Sequence, residues 1–234
     1  MKTLLRRLAS PALAFACIAL SSAANAQIFV NQPAAAGGGD YRPSQLWVDP
    51  GPNGNDLDTD AISYTGFTLA QTSTIRRIDW WGRGPHELGF RLEFWRQDPN
   101  TISYQPMGVF RDVGAEPDAL HIAENYQSEA FGNLTHHWVD LPTPITLAAN
   151  DSSNVRWFFS AIALTHQPNT FWDWAQGTSG TGTFYWIRGY HMFFRVGIPR
   201  AVVLTGNPVP EPATWACLGL GAAALVRRRR TVTR

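Results

Sequence analysis

Lysine is almost missing from this chain of 234 residues: Lys2 is the only one, and every other cation is an arginine. Cysteine occurs only at Cys17 and Cys217, each inside an apolar terminal run, so the body between them has neither a disulfide framework nor a thiol nucleophile. Charged residues make up 16% of the chain, too few for a coiled coil or a charged helical repeat. No serine elbow Gly-x-Ser-x-Gly, no His-Glu-x-x-His pair, no phosphate loop and no nucleotide-binding glycine fingerprint occurs. The glycine-rich stretch Gly177-Thr178-Ser179-Gly180-Thr181-Gly182 is followed by neither a lysine nor a helical pattern, which excludes a phosphate cradle. On these absences we expect no catalytic residue, no cofactor and no enzyme.

What is present is aromatic and punctuated. Ten Trp, thirteen Phe and six Tyr stand with twenty Gly and sixteen Pro, the composition of a folded chain of short strands. Eight segments are β-branched or aromatic-rich: residues 62–69, 74–81, 88–96, 137–141, 154–164, 183–188, 191–198 and 201–205. Alternation is clear in the third, where Phe90, Leu92 and Phe94 share one face and Arg91, Glu93 and Trp95 the other. Residues 117–130 are the single helical candidate, although Leu120, Ile122 and Tyr126 suit a strand almost as well. With no βαβ rhythm, the pattern predicts an all-β, antiparallel β-sandwich of jelly-roll type over residues 56–206. Residues 27–55 read as a flexible leader and loop.

The two ends carry topogenic signals. Lys2, Arg6 and Arg7 precede an apolar stretch from Leu8 to Leu20, and Ala24-Asn25-Ala26 offers the small residues that a signal peptidase accepts. Residues 1–26 therefore read as a secretory signal, with Gln27 the first mature residue. At the other end Pro210-Glu211-Pro212 leads into an apolar run, residues 213–226, closed by Arg227, Arg228, Arg229 and Arg230. As a helix this run is ~21 Å long, short of the ~30 Å hydrocarbon core, so its membrane span is marginal. The arginines resist translocation and would keep the C-terminus cytoplasmic, with the body outside.

This arrangement over residues 207–234 closely resembles the PEP-CTERM sorting signal of exported proteins in Gram-negative bacteria that make extracellular polysaccharide. The resemblance implies an exosortase, a membrane-embedded cysteine transpeptidase, as the enzyme that removes the tail near Pro210-Glu211-Pro212. It implies an inner-membrane precursor and a mature form at the cell surface or in the extracellular matrix. Gly66-Phe67-Thr68-Leu69, residues 74–82, Phe90-Arg91-Leu92-Glu93-Phe94, Leu141 to Leu147 and Phe193-Phe194-Arg195-Val196 resemble, less specifically, the β-sandwich ectodomains of such proteins. That likeness implies no activity.

Between the two signals the body holds eleven arginines and seventeen acidic residues. A net-negative surface without lysine disfavours nucleic acid or anionic lipid as a partner. The chemistry that remains is aromatic. Trp81, Trp95, Trp172 and Trp174 are the candidate residues for stacking on sugar rings, with neighbouring carboxylates, arginines and amides for the hydroxyls. Trp80 and Trp81, being adjacent, must face opposite ways. Asp56, Asp58 and Asp60 have a spacing that suits calcium but lack the EF-hand pattern, so a solvated loop is the expectation. His136 and His137 are expected to face apart and to share no zinc, while His86-Glu87 could form an acid-base pair. The leading reading is a surface or biofilm-matrix protein with a structural or adhesive sandwich that contacts exopolysaccharide. Its rivals are a glycan hydrolase or lyase, for which Asp79, Glu87 and Glu93 are the available carboxylates, and a plain single-pass envelope protein without a ligand.

Overall fold

The computed structural model describes residues 26–48, 60–97, 117–150, 156–166, 170–187 and 192–209. The expected signal through Asn25, the sorting motif Pro210-Glu211-Pro212, the arginine cluster, Asp56 and Asp58 lie outside them. Among the described residues no helix is long and apolar enough to cross a membrane.

Among the described residues fourteen strands form two sheets. In chain order they are β1 (Gln27–Gln32), β2 (Arg42–Pro43), β3 (Gln45–Trp47), β4 (Ala61–Phe67), β5 (Ser73–Arg83), β6 (Phe90–Arg96) and β7 (Ala119–Ala123). Then come β8 (Gln127–Phe131), β9 (Leu134–Leu147), β10 (Trp157–Thr165), β11 (Asp173–Trp174), β12 (Thr181–Ile187), β13 (Met192–Val196) and β14 (Val202–Pro208). The first sheet runs β1-β14-β5-β11-β2, with β9 on the other side of β5 and β8 beyond it; the second runs β13-β12-β4-β3-β10-β6-β7. This is the expected two-sheet sandwich, and each of the eight predicted strands is a strand of it.

Three expectations need correction. Residues 27–48 are no flexible leader: β1 lies along β14, and β3 joins the second sheet in parallel with β10, an exception to the antiparallel rule. The helical candidate 117–130 is β7 and β8, because Ala119 and Ala123 face the core from a strand while its other positions need no helical stripe. The last strand reaches Pro208, two residues beyond the expected end of the sandwich.

The core follows from alternation. Phe90, Leu92 and Phe94 of β6, Trp157, Phe159, Ala161 and Ala163 of β10, Ile78 and Trp80 of β5, and Val202 and Leu204 of β14 point inward together. Trp172 and Trp174 fill the same space, both fully buried, with ring centroids 6.5 Å apart. On β5 the alternation skips between Ile75 and Arg77, so Ile75 and Ile78 both face inward. Pro142 and Pro144 of β9 fall in the same bulge, where a missing N–H breaks no ladder. Gly206 lies against the β5 backbone here, and a Cβ would collide with the Thr74 carbonyl oxygen.

Among the described residues one charged side chain has no exposed surface. Arg200 is fully buried; its guanidinium donates to the carbonyls of Asp40 (2.7 Å), Trp174 (3.3 Å) and Ile198 (3.3 Å) and reaches the Asp40 carboxylate at 3.4 Å. Burial outweighs the Asp40 charge and lowers its pKa to about 10. The arginine fastens the turn around residues 36–40 to the start of β14.

Candidate functional site

Strand alternation after the bulge sends Arg77, Asp79 and Trp81 to the outer face of the first sheet. Across from them on β9 stand Asp140, Trp138 and His136, and beyond these Gln127 and Glu129 on β8. Asp79 is almost buried; Arg77 grips it with Nε at 3.0 Å and Nη2 at 2.8 Å. The His136 ring lies flat on Trp81, centroids 4.4 Å apart and 7° between planes. Its nitrogens meet Asp79 at 3.0 Å and Glu129 at 2.9 Å. Trp138 is half-buried between the Arg77 guanidinium, 5.3 Å from its ring centre, and His136, 4.9 Å away. Phe131, 48% exposed, meets the edge of Trp81. The result is an open aromatic surface rimmed by charged and amide groups, with its side chains fixed by mutual contacts.

A second grouping lies where β5 turns into β6. Pro85, His86, Glu87 and Tyr126 line a cavity of about 370 Å³. Behind it sits His137, fully buried among Trp80, Phe90, His86, Tyr126 and Trp172, and neither ring nitrogen has a hydrogen-bond partner. Burial first, then the neighbouring His86 and His136, push its pKa down to about 3, so the ring is neutral. His86 Nδ1 contacts the Gly84 carbonyl at 2.8 Å. Glu87 accepts from the Thr165 hydroxyl at 2.9 Å and the His166 amide at 3.0 Å, which ties its carboxylate to β10 rather than to His86.

The four candidate tryptophans do not form a sugar platform. Trp172 and Trp174 are in the main core, and Trp81 is 8% exposed, covered by His136, Leu134 and Tyr41. Trp95 does face outward with Arg91 and Glu93, but that face of the second sheet is itself buried. Trp95 is 6% exposed in a cluster with Ile62, Tyr64, Phe158 and Ile162, and its indole N–H donates to Glu93 at 2.7 Å. Alternation assigned the side and could not tell whether the side was covered. Asp60, the one calcium candidate within the described residues, is buried and accepts the Trp47 amide at 2.8 Å. Among the described residues no group of three His, Cys, Asp or Glu side chains is placed to hold a metal ion.

The carboxylates considered for glycan hydrolysis are dispersed: Asp79 on the outer face of the first sheet, Glu93 on that of the second, and Glu87 on a loop at one end. Asp79 does share a partner with Glu129, but the His136 ring fills the gap that a water or a sugar would need. His136 and His137 face apart as expected, yet each meets groups that spacing along the chain hides: Asp79 of β5 and Glu129 of β8 bond His136, and the His86 ring of the β5–β6 turn packs on His137. Trp138, Phe131, His136, Arg77 and Glu129 were missed as a set. Starting the ninth strand at Leu134 would have revealed that His136, Trp138 and Asp140 share one face.

Residues 208–230 match the PEP-CTERM protein-sorting motif. No curated protein and no solved structure matches the chain. The motif makes this an exported protein that is processed by an exosortase at the membrane, and it leaves the sandwich to be read from its own surface.

Proposed function

We propose that this exported, exosortase-processed protein uses its sandwich as a structural and adhesive module at the cell surface, contacting extracellular polysaccharide through the outer face of its first sheet. The observation that carries this reading is the half-buried Trp138, bracketed by Arg77 and His136, with Gln127, Glu129 and Asp140 on the positions around it. An indole fixed between a guanidinium and an imidazole offers a sugar's C–H face apolar area at little entropic cost, and the rim supplies hydroxyl partners. The reading is of binding rather than turnover, supported by the scatter of Asp79, Glu87 and Glu93 and by the imidazole between Asp79 and Glu129.

The test is retention of the mature protein on extracted exopolysaccharide at low and high salt. Trp138→Ala should weaken retention at both while leaving thermal stability nearly unchanged, since stacking depends little on salt whereas ionic contact depends on it steeply. Retention that survives Trp138→Ala and Phe131→Ala, or that vanishes in high salt, would overturn the proposed face. Replacing Pro210, Glu211 and Pro212 by alanine should leave an unprocessed precursor in the membrane fraction.

A further inference from the structure

The pairing registers place both ends of the described body at one pole of the sandwich. Gln27, the start of β1, pairs with Gly206 near the end of β14, and Pro208 pairs with Ser73, the first residue of β5, which also pairs with Leu147, the last of β9. The pole is knitted together: Val209 donates to the Thr72 carbonyl at 2.8 Å, the Ala149 amide to the Thr72 hydroxyl at 3.3 Å, and the Asn150 amide to the Leu69 carbonyl at 3.0 Å. The fold therefore continues to Val209, and only Pro210, Glu211 and Pro212 separate it from the apolar run that begins at Ala213. Three extended residues reach at most ~11 Å. A sandwich on so short a tether cannot tumble freely above a membrane that holds its tail.

At this pole the first sheet's ends and the adjoining turns, residues 27–28, 68–72, 147–150 and 206–209, contain no charged side chain, while the second sheet contributes Arg96, bonded to Asp118, and Arg156. Ile28 is 54% exposed there, and Ala70, Gln71, Ala148 and Ala149 are exposed beside it. The opposite pole, where β5 turns into β6 and β7 into β8, carries Arg83, Glu87, Glu124 and Asp173. With eleven residues in β5 at ~3.3 Å each, the two poles stand ~36 Å apart.

We infer that the pole from which the tail leaves is a membrane-facing surface: in the precursor it rests on the lipid headgroups around the tail, and the opposite pole, with the His86, Glu87 and Tyr126 cavity, points away from the bilayer. The inference rests on the reading that the tail holds the precursor in the membrane. The acidic body gains nothing from anionic headgroups, so it is the three-residue tether that holds this pole against them. The same geometry carries the signal segment, which ends at Ala26, to the same surface, so the two membrane-directed ends never have to bridge the length of the sandwich.

The absence of cysteine from the body makes the test direct. In cells lacking exosortase, the full chain bearing Cys17→Ala and Cys217→Ala receives one cysteine, at Gln71 or Ala149 on the pole beside the tail, or at Glu124 or Asn125 on the other. The readout is the rate of reaction with a bulky polyethylene-glycol maleimide, with and without detergent. Reaction at Gln71→Cys and Ala149→Cys is expected to be several-fold slower than at Glu124→Cys and Asn125→Cys in membranes, and detergent is expected to remove the difference. Membrane-retained precursor with equal rates at the two poles would overturn the orientation alone. Precursor released by a carbonate wash would overturn the tethered reading, and the orientation with it.

Discussion

Acid should destabilise this protein through one imidazole. His137 is enclosed by aromatic rings, has no hydrogen-bond partner, and has a pKa near 3 in the fold against an ordinary value of 6.5. The folded value is depressed, so below pH 6.5 the unfolded chain binds a proton that the native state refuses, and stability falls as pH drops from about 6.5 towards about 3. At ~1.4 kcal/mol per unit, the loss between pH 7 and pH 5 is about 2 kcal/mol, rising to about 3 kcal/mol at pH 4. Replacing His137 by Phe keeps a ring of similar shape among Trp80, Phe90, Tyr126 and Trp172 and removes the titration. Urea midpoints of the mature protein and of His137→Phe, measured from pH 7 down to pH 4, should diverge by that amount, with the variant the flatter. His121, whose pKa burial also lowers, contributes equally to both curves and leaves the difference intact. Parallel curves would refute the reasoning, because they would mean that water reaches the imidazole or that it finds a proton acceptor in the fold.

Trp95→Ala should cost ~3 to 5 kcal/mol in urea unfolding, the range for a buried aromatic, and a loss below ~1 kcal/mol would mean that the outer face of the second sheet is open. Arg200→Ala should destabilise by ~3 to 5 kcal/mol, since it strips donors from the carbonyls of Asp40, Trp174 and Ile198 and leaves a cavity; the melting temperature checks it. Reductant should not move the melting temperature of the mature protein at all, because residues 27–209 contain no cysteine.

Period-two alternation was enough to recover the eight principal strands and the inward set Phe90, Leu92 and Phe94, because a sandwich buries one face of each strand and the pattern records which. The same signal failed wherever burial is decided by something other than the strand itself. β1 and β3 are short and lie in a Pro- and Gly-rich stretch, yet β1 is held by register with β14, and the following turn is held by Arg200 from 160 positions away. β8 is exposed at all five residues, so it has no buried face for a pattern to show.

The candidate surface illustrates the limit most clearly. Arg77, His136 and Glu129 are separated in sequence by up to 59 positions and become neighbours only because β5, β9 and β8 stack in that order, with the bulge at Arg76 deciding which of the β5 residues face outward. Remove that bulge with Ile75 held in place, and Asp79 and Trp81 would turn inward while Ile78 and Trp80 turned out, exchanging core for surface. The position of the bulge is set jointly by Gly206 on one side of β5, the one residue whose lack of a Cβ admits the Thr74 carbonyl, and by Pro142 and Pro144 on the other. The surface on which the proposed polysaccharide contact depends is thus specified by residues outside it, and Gly206→Val should disrupt the stacking of His136 on Trp81 without touching either ring. Tryptophan fluorescence that stayed native in that variant, with retention on exopolysaccharide unchanged, would show that the register is held by the aromatic face itself.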